Sequence, residues 1–178
     1  MSGIRPLNER RVEQFYLGFF ILHILTTLIM DCAPVFYHHV PIPLLKQLNE
    51  FYIDTFKDPI MSIISHTPGN QAYASLAWFR SFLWCELVFQ VPVFFYGVYC
   101  ILQDQFISKF GMLGIIYSSH VITTVLPVLS TLFAADLDFQ AKLILFGFYI
   151  PFLIIPVHLL FHLVSNVKLN NSNKVKNQ

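Results

Sequence analysis

The chain has 178 residues, 56% of them hydrophobic and only 12% charged, with a formal net charge of +1. An average soluble domain carries roughly twice that share of charge, so the surface is expected to face lipid rather than water. No basic block occurs, which excludes nucleic acid as a partner, because neutralising phosphates takes clustered Lys and Arg.

In chain order, four charge-poor runs define the architecture. They are Gln14 to Met30, Ser81 to Gln103 (broken only by Glu86), Phe110 to Ala135 and Leu143 to Val167. About 20 apolar residues of helix cross a hydrocarbon core of about 30 Å. Spans are therefore expected at about 12–32, 79–102, 110–133 and 142–165, within a membrane domain of residues 10–165. Lipid offers no partner to an unpaired peptide group, so each span must be helical. The first run is too long for a signal-peptide core and lacks a small-residue cleavage site, so it is read as a retained helix.

Short turns are expected at 104–109 and 136–142, and a long segment at 32–80. Within that segment, Pro43 to Phe56 sets Leu44, Leu45, Leu48, Phe51, Tyr52 and Phe56 among Lys46, Asn49, Glu50 and Asp54. This predicts an amphipathic helix lying over the bundle or on the membrane surface. His66 to Ser75, with its Pro-Gly-Asn-Gln, reads as a loop tip. Residues 166–178 form a polar tail, disordered from Asn170. The expected fold is an all-α membrane protein: a four-transmembrane-helix bundle with proline-kinked helices and a luminal amphipathic segment.

An even number of spans puts both termini on one side. Arg5, Arg10, Arg11, Lys109, Lys168, Lys174 and Lys176 share that side, against Lys46, Lys57, Arg80 and Lys142. The positive-inside rule then favours cytosolic termini. Lys176 and Lys174, third and fifth from the end, look like a dilysine retrieval signal, a receptor-read address of the endoplasmic reticulum.

A charge at the centre of a span costs at least roughly 2.5–3.5 kcal/mol, so Glu86 is either functional or a protonated tie between helices. Gln90 lies one turn on, on the same face. His23, Thr27 and Asp31 form one polar stripe, with Asp31 at the luminal end of the first span. His23 alone is the kind of histidine that packs in a core. Opposed helix directions bring Asp31 and Glu86 to similar depth, with Thr123, Thr124, Ser130, Tyr149 and Phe152 converging on that half. Pro92, Pro127, Pro151 and Pro156 each remove a helix hydrogen bond. The resulting kinks let helices bow apart around a cavity, although proline is also tolerated more often in membrane helices. Asp58 alone reads as a loop or helix-capping acid. His158 and His162 have metal spacing but no carboxylate nearby, so no metal site is expected. Cys32, Cys85 and Cys100 show no CxxC spacing and are expected as buried thiols. No nucleophile motif, phosphate loop or HExxH occurs.

Several blocks resemble the sigma-2 receptor family of the EXPERA superfamily, which also includes the emopamil-binding sterol isomerase. They are Leu28-Ile29-Met30-Asp31, Phe56-Lys57-Asp58-Pro59, the long stretch Trp78 to Pro92, Ile115 to His120 with Thr123-Thr124, and Tyr149 to Pro156. The resemblance implies a multi-pass protein of the endoplasmic-reticulum membrane or nuclear envelope, with both termini cytosolic. It implies no cofactor, binding of sterols or oxysterols and of cationic amphiphilic amines, a role in cholesterol homeostasis, homodimerisation and a cholesterol transporter as partner. Carried over by position, Asp31 pairs with a ligand amine and Asp58 is its hydrogen-bonded partner. Glu86 and Gln90 line a polar floor, with Thr124, Tyr149, Met30 and Met61 around them. Phe152 stands where relatives carry tyrosine. A sterol Δ8-Δ7 isomerase is the alternative, but the histidine it needs one turn before the glutamate is Phe82 here. A third reading is a structural regulator of a membrane transporter.

Overall fold

The computed structural model describes residues 4–31, 42–66 and 69–176. Cys32, the first part of the expected luminal segment, and the last two residues of the expected tail lie outside the described residues. Among the described residues, four helical stretches are long and apolar enough to cross a membrane: Arg11–Asp31, Ala77–Leu102, Phe106–Ala134 and Phe139–Val167. At 1.5 Å per residue, the shortest, of 21 residues, spans about 30 Å. Among the described residues no strand occurs.

The first span is α1 (Arg11–Thr26) followed by a π-helical turn, Thr27–Asp31. Between the first two spans come α2 (Pro43–Phe56), α3 (Pro59–His66) and α4 (Gln71–Ser75). The second span is α5 (Ala77–Cys85), a π turn over Glu86–Gln90, and α6 (Val91–Leu102). A third π turn, Phe106–Phe110, leads into α7 (Gly111–Ala134), and the fourth span is α8 (Phe139–Tyr149) with α9 (Pro151–Lys176).

Four boundaries differ from expectation, each for a local reason. The third span starts at Phe106 because Phe106 and Phe110 are buried and stack on each other at 5.0 Å. The fourth starts at Phe139 because Asp138 caps it, accepting from Ala141 N at 2.9 Å. Lys142 is carried inside that helix, its amine donating to Phe133 O at 2.8 Å. Of the loop tip expected at 66–75, residues 67–68 lie outside the described residues; α3 runs to His66, and Asn70 Oδ1 accepts from Tyr73 N to start α4, so 71–75 is helix rather than loop. The backbone helix of α9 continues to Lys176, so the tail is not disordered from Asn170. Extending an existing helix needs no new nucleus.

Of the four prolines, Pro127 and Pro156 lie inside helices. Pro151 opens α9 at the break that divides the fourth span. Pro92 follows the π turn at Glu86–Gln90. Cys85 and Cys100 are free thiols, and only Cys100 of the two is fully buried.

The core divides in two. At the end of the bundle bearing the termini, Tyr16, Phe20, Phe94, Phe106, Phe110, Tyr117 and Leu163 pack together. Glycine permits close approach there: a Cβ on Gly114 would collide with Leu163 and with Phe110, as at other membrane-helix contacts built on small residues. At the opposite end, Ile53, Ile60, Met61, Ile64, Leu76, Phe79, Leu83, Val128, Leu132 and Leu145 join α2 and α3 to the spans.

Candidate functional site

A cavity of about 630 Å³ lies where the two core clusters part. Its wall takes Phe19 and Phe152 from one cluster's packing and Met61, Phe79, Leu83 and Tyr149 from the other's. Volume and apolar lining are those of a small-molecule site. A shallower depression of about 450 Å³, between Pro59–Ile63 and Ser130–Ala135, is lined by no charged residue.

Two carboxylates face this cavity, Asp31 and Glu86. The ring of His23 meets that of Phe94 at 4.5 Å between antiparallel spans. Thr27 and Asp31 follow His23 at four-residue steps, as Gln90 and Glu86 precede Phe94 on the facing span. The π turns carrying these acids pack against each other. Each thus has a widened turn, a departure from α-helix that recurs at functional sites.

Asp58 neither lines the cavity nor hydrogen-bonds Asp31, as the family resemblance had implied, because four other donors take its oxygens; it holds the wall from behind. Its Oδ1 accepts from Ile60 N at 2.9 Å and Met61 N at 3.1 Å, which caps α3. Its Oδ2 accepts from the hydroxyls of Tyr52 at 3.0 Å and Tyr149 at 2.8 Å. Four donors fill the roughly four lone-pair sites of a carboxylate. Lys57, at φ 58°, makes the left-handed turn that places Asp58 between α2 and α3. Burial raises the pKa of the Tyr52 phenol, and the nearby Asp58 charge and, to a lesser degree, the Asp31 charge raise it further.

Of the residues expected from sequence, Asp31, Glu86, Thr124, Tyr149, Met30, Met61 and Phe152 share this one cavity. Thr124 donates its hydroxyl to Val121 O at 3.1 Å, so toward the cavity it can only accept. Phe152 packs on His23, ring centroids 4.6 Å apart. Gln90 is buried one turn deeper, off the cavity wall, and neither amide atom has a protein partner. Thr27 and Ser118 hydroxyls are buried and unpartnered as well. Thr123 and Ser130 face outward.

Sequence reasoning missed several wall residues. His23, read as a packing histidine, lines the cavity, its Nδ1 3.4 Å from the Tyr117 hydroxyl. Tyr52, Phe56 and Phe148 bring α2 and α8 into the wall. The cue for Tyr52 and Phe56 was the apolar face of α2, which pointed to burial without naming what they would cover. Phe82, one turn before Glu86, also lines the cavity and cannot transfer protons. His158 and His162 stack far along α9, where His158 Nδ1 lies 2.8 Å from the Tyr16 hydroxyl.

The EXPERA (EXPanded EBP superfamily) model matches residues 44–163. Sigma intracellular receptor 2 of Homo sapiens is 34% identical over 167 residues, covering 87% of this chain and 88% of its own. The protein of that name in Xenopus tropicalis is 27% identical over 176 residues, covering 94% and 96%. Efficient mitochondria targeting-associated protein 19 of Schizosaccharomyces pombe is 25% identical over 152 residues, covering 85% and 74%. A family match over most of the chain, and an end-to-end relative that keeps a third of its residues, lead to one conclusion: this chain belongs to the EXPERA superfamily and, within it, to the sigma intracellular receptor 2 family.

Proposed function

We propose that the chain is a non-enzymatic, receptor-like protein that binds sterols or oxysterols and cationic amphiphilic amines inside the membrane. The observation that carries this reading is the pairing of an apolar cavity of about 630 Å³ with the carboxylates Asp31 and Glu86 in its wall. A carboxylate 4 Å from an ammonium attracts it by about 4 kcal/mol at an effective dielectric of 20. The aromatic walls add the area needed for a sterol-like body. In this reading Asp31 meets the amine, Glu86 polarises the opposite wall, and Asp58 positions the two tyrosines. Met30, Met61, Thr124 and Phe152 shape the remainder, and Gln90 backs the polar side from one turn below.

Phe82 supports binding over isomerisation. Shifting a ring double bond needs a proton donor and a base, and the position one turn before the intramembrane glutamate holds a phenyl ring. The sigma intracellular receptor 2 likeness supports a place in the endoplasmic-reticulum membrane, and the excess of basic residues on the side bearing the termini supports cytosolic termini. A role in cholesterol homeostasis and a homodimeric state belong to the same proposal.

The test is Asp31→Asn in two assays. We expect binding of a cationic amphiphile to fall at least 100-fold while a neutral oxysterol loses under 10-fold and the protein stays folded. Unchanged amine affinity overturns the assignment of Asp31. Turnover of a Δ8-sterol by the purified wild-type chain overturns the non-enzymatic reading.

A further inference from the structure

Helix α2 has three faces rather than two. Asn49, Tyr52, Ile53 and Phe56 turn inward, with Asn49 and Ile53 fully buried and Tyr52 and Phe56 in the cavity wall. Lys46, Glu50 and Asp54, four residues apart, form a charged face on which Lys46 and Glu50 pair at 3.6 Å. Leu44, Leu48 and Phe51, four and three residues apart, share a third face. That face is 62%, 39% and 65% exposed.

A solvated helix has no use for an exposed stripe of two leucines and a phenylalanine set apart from its charges. The helix that bears the stripe packs beside a surface already facing lipid. On α8, Ile144 and Phe148 are exposed one turn apart, and Phe148 packs edge-on against Phe56 at 4.8 Å and near Tyr52 at 6.2 Å. The lipid-facing side of the fourth span therefore leads onto α2. Three side chains fall well short of the about 800 Å² per partner that a stable protein interface buries, which favours acyl chains over a second copy.

We propose that α2 is an interfacial helix seated in the bilayer leaflet at its end of the bundle. Leu44, Leu48 and Phe51 lie among acyl chains and the Lys46–Glu50–Asp54 face lies in water. Because the same helix presents Tyr52 and Phe56 to the cavity and is tied to Asp58, the leaflet helps hold one wall of the binding site in place. The seating of α2 in the leaflet is independent of the ligand, while its hold on a binding-site wall rests on the proposed function.

The test uses single nitroxide labels on the full chain in phosphatidylcholine vesicles, with Cys32, Cys85 and Cys100 replaced by alanine. Labels are placed through Leu44→Cys, Leu48→Cys and Phe51→Cys, and through Lys46→Cys, Glu50→Cys and Asp54→Cys. We expect the ratio of collisions with oxygen to collisions with a water-soluble nickel complex to be at least fivefold higher at the first three. Equal ratios at all six overturn the proposal. So does dipolar broadening at 44, 48 and 51 that is relieved by diluting with unlabelled chain, which places a second copy there. A lipid-soluble carbene probe on the unsubstituted chain removes dependence on the cysteine variants. It should modify Leu44, Leu48 and Phe51, and labelling of the four spans with none on α2 contradicts the inference.

Discussion

Asp58 offers a quantitative prediction. Asn caps helices about as well as Asp, so Asp58→Asn keeps the acceptor for Ile60 N and Met61 N. It loses the second oxygen, on which both tyrosine hydroxyls converge at 3.0 and 2.8 Å. A hydrogen bond to a charged group contributes about 1.5–3 kcal/mol. Tyr149→Phe is therefore expected to cost about 2 kcal/mol, and Asp58→Asn about twice that. At about 2–4 °C per kcal/mol for a chain of this size, Tyr149→Phe lowers Tm by about 4–8 °C. The assay is thermal unfolding of the detergent-solubilised chain, followed by the fluorescence of Trp78 and Trp84. The double-mutant cycle decides the matter. In the Asp58→Asn background, Tyr149→Phe should cost less than about 0.5 kcal/mol, because its acceptor is already gone. Full additivity of the two substitutions would refute the idea that Asp58 holds the wall through Tyr149.

Three further outcomes follow from the packing and the charges. Gly114→Ala should cost about 1–3 kcal/mol, since the new Cβ meets Leu163 and Phe110; an unchanged unfolding temperature would show that α7 and α9 can separate freely. Gln90→Leu should hold or raise the Tm of the ligand-free chain, because a buried amide without a partner costs about 1–3 kcal/mol; a clear fall would mean that the amide is satisfied. At the end bearing the termini, Arg5 donates to Asp104 at 2.8 and 2.6 Å. This hydrogen bond, partly opposed by desolvation, holds the Asp104 carboxyl down at about 2. A depressed acid stabilises fully above its unfolded pKa of about 3.9 and loses that contribution as pH falls toward 2. Hydrogen exchange at Glu9 and Arg10, corrected for intrinsic rates, should stay flat from pH 7 to 5 and quicken below 4. Asp104→Asn should exchange quickly at every pH, and an acid transition surviving in that variant would assign it elsewhere.

Much of this was legible in the sequence. The four charge-poor runs are the four spans, and the apolar spacing from Pro43 to Phe56 matches α2 residue for residue. The shared depth of Asp31 and Glu86 followed from antiparallel spans and counted turns. Less visible were features that a 3.6-residue period does not encode. A π turn looks like α-helix in sequence, so the widened turns at Thr27–Asp31 and Glu86–Gln90 gave no signal. Asp58 reads as a cap, and its second role depends on Tyr149, which lies 91 residues away. His23 reads in sequence as a core residue because one histidine on an apolar face usually packs. Only the parting of two core clusters turns that face into a cavity wall. Gln90 shares a helix face with Glu86, yet the cavity ends above it. Charged residues marked the ends of the runs, but Lys109 and Lys142 both lie within spans, one inside a π turn and one bonded to a carbonyl.

Photo-affinity labelling asks whether the cavity holds an amphiphilic ligand beside Asp31. A sterol-like amine carrying a diazirine is crosslinked to the full chain in vesicles, and the modified residues are mapped by mass spectrometry. Adducts should concentrate on the cavity wall at Phe19, Met30, Phe79, Phe148 and Phe152, and be abolished by excess unlabelled amine and by Asp31→Asn. Adducts spread over outward residues such as Phe133 and Phe161, insensitive to competitor and to that substitution, would contradict this placement of the ligand.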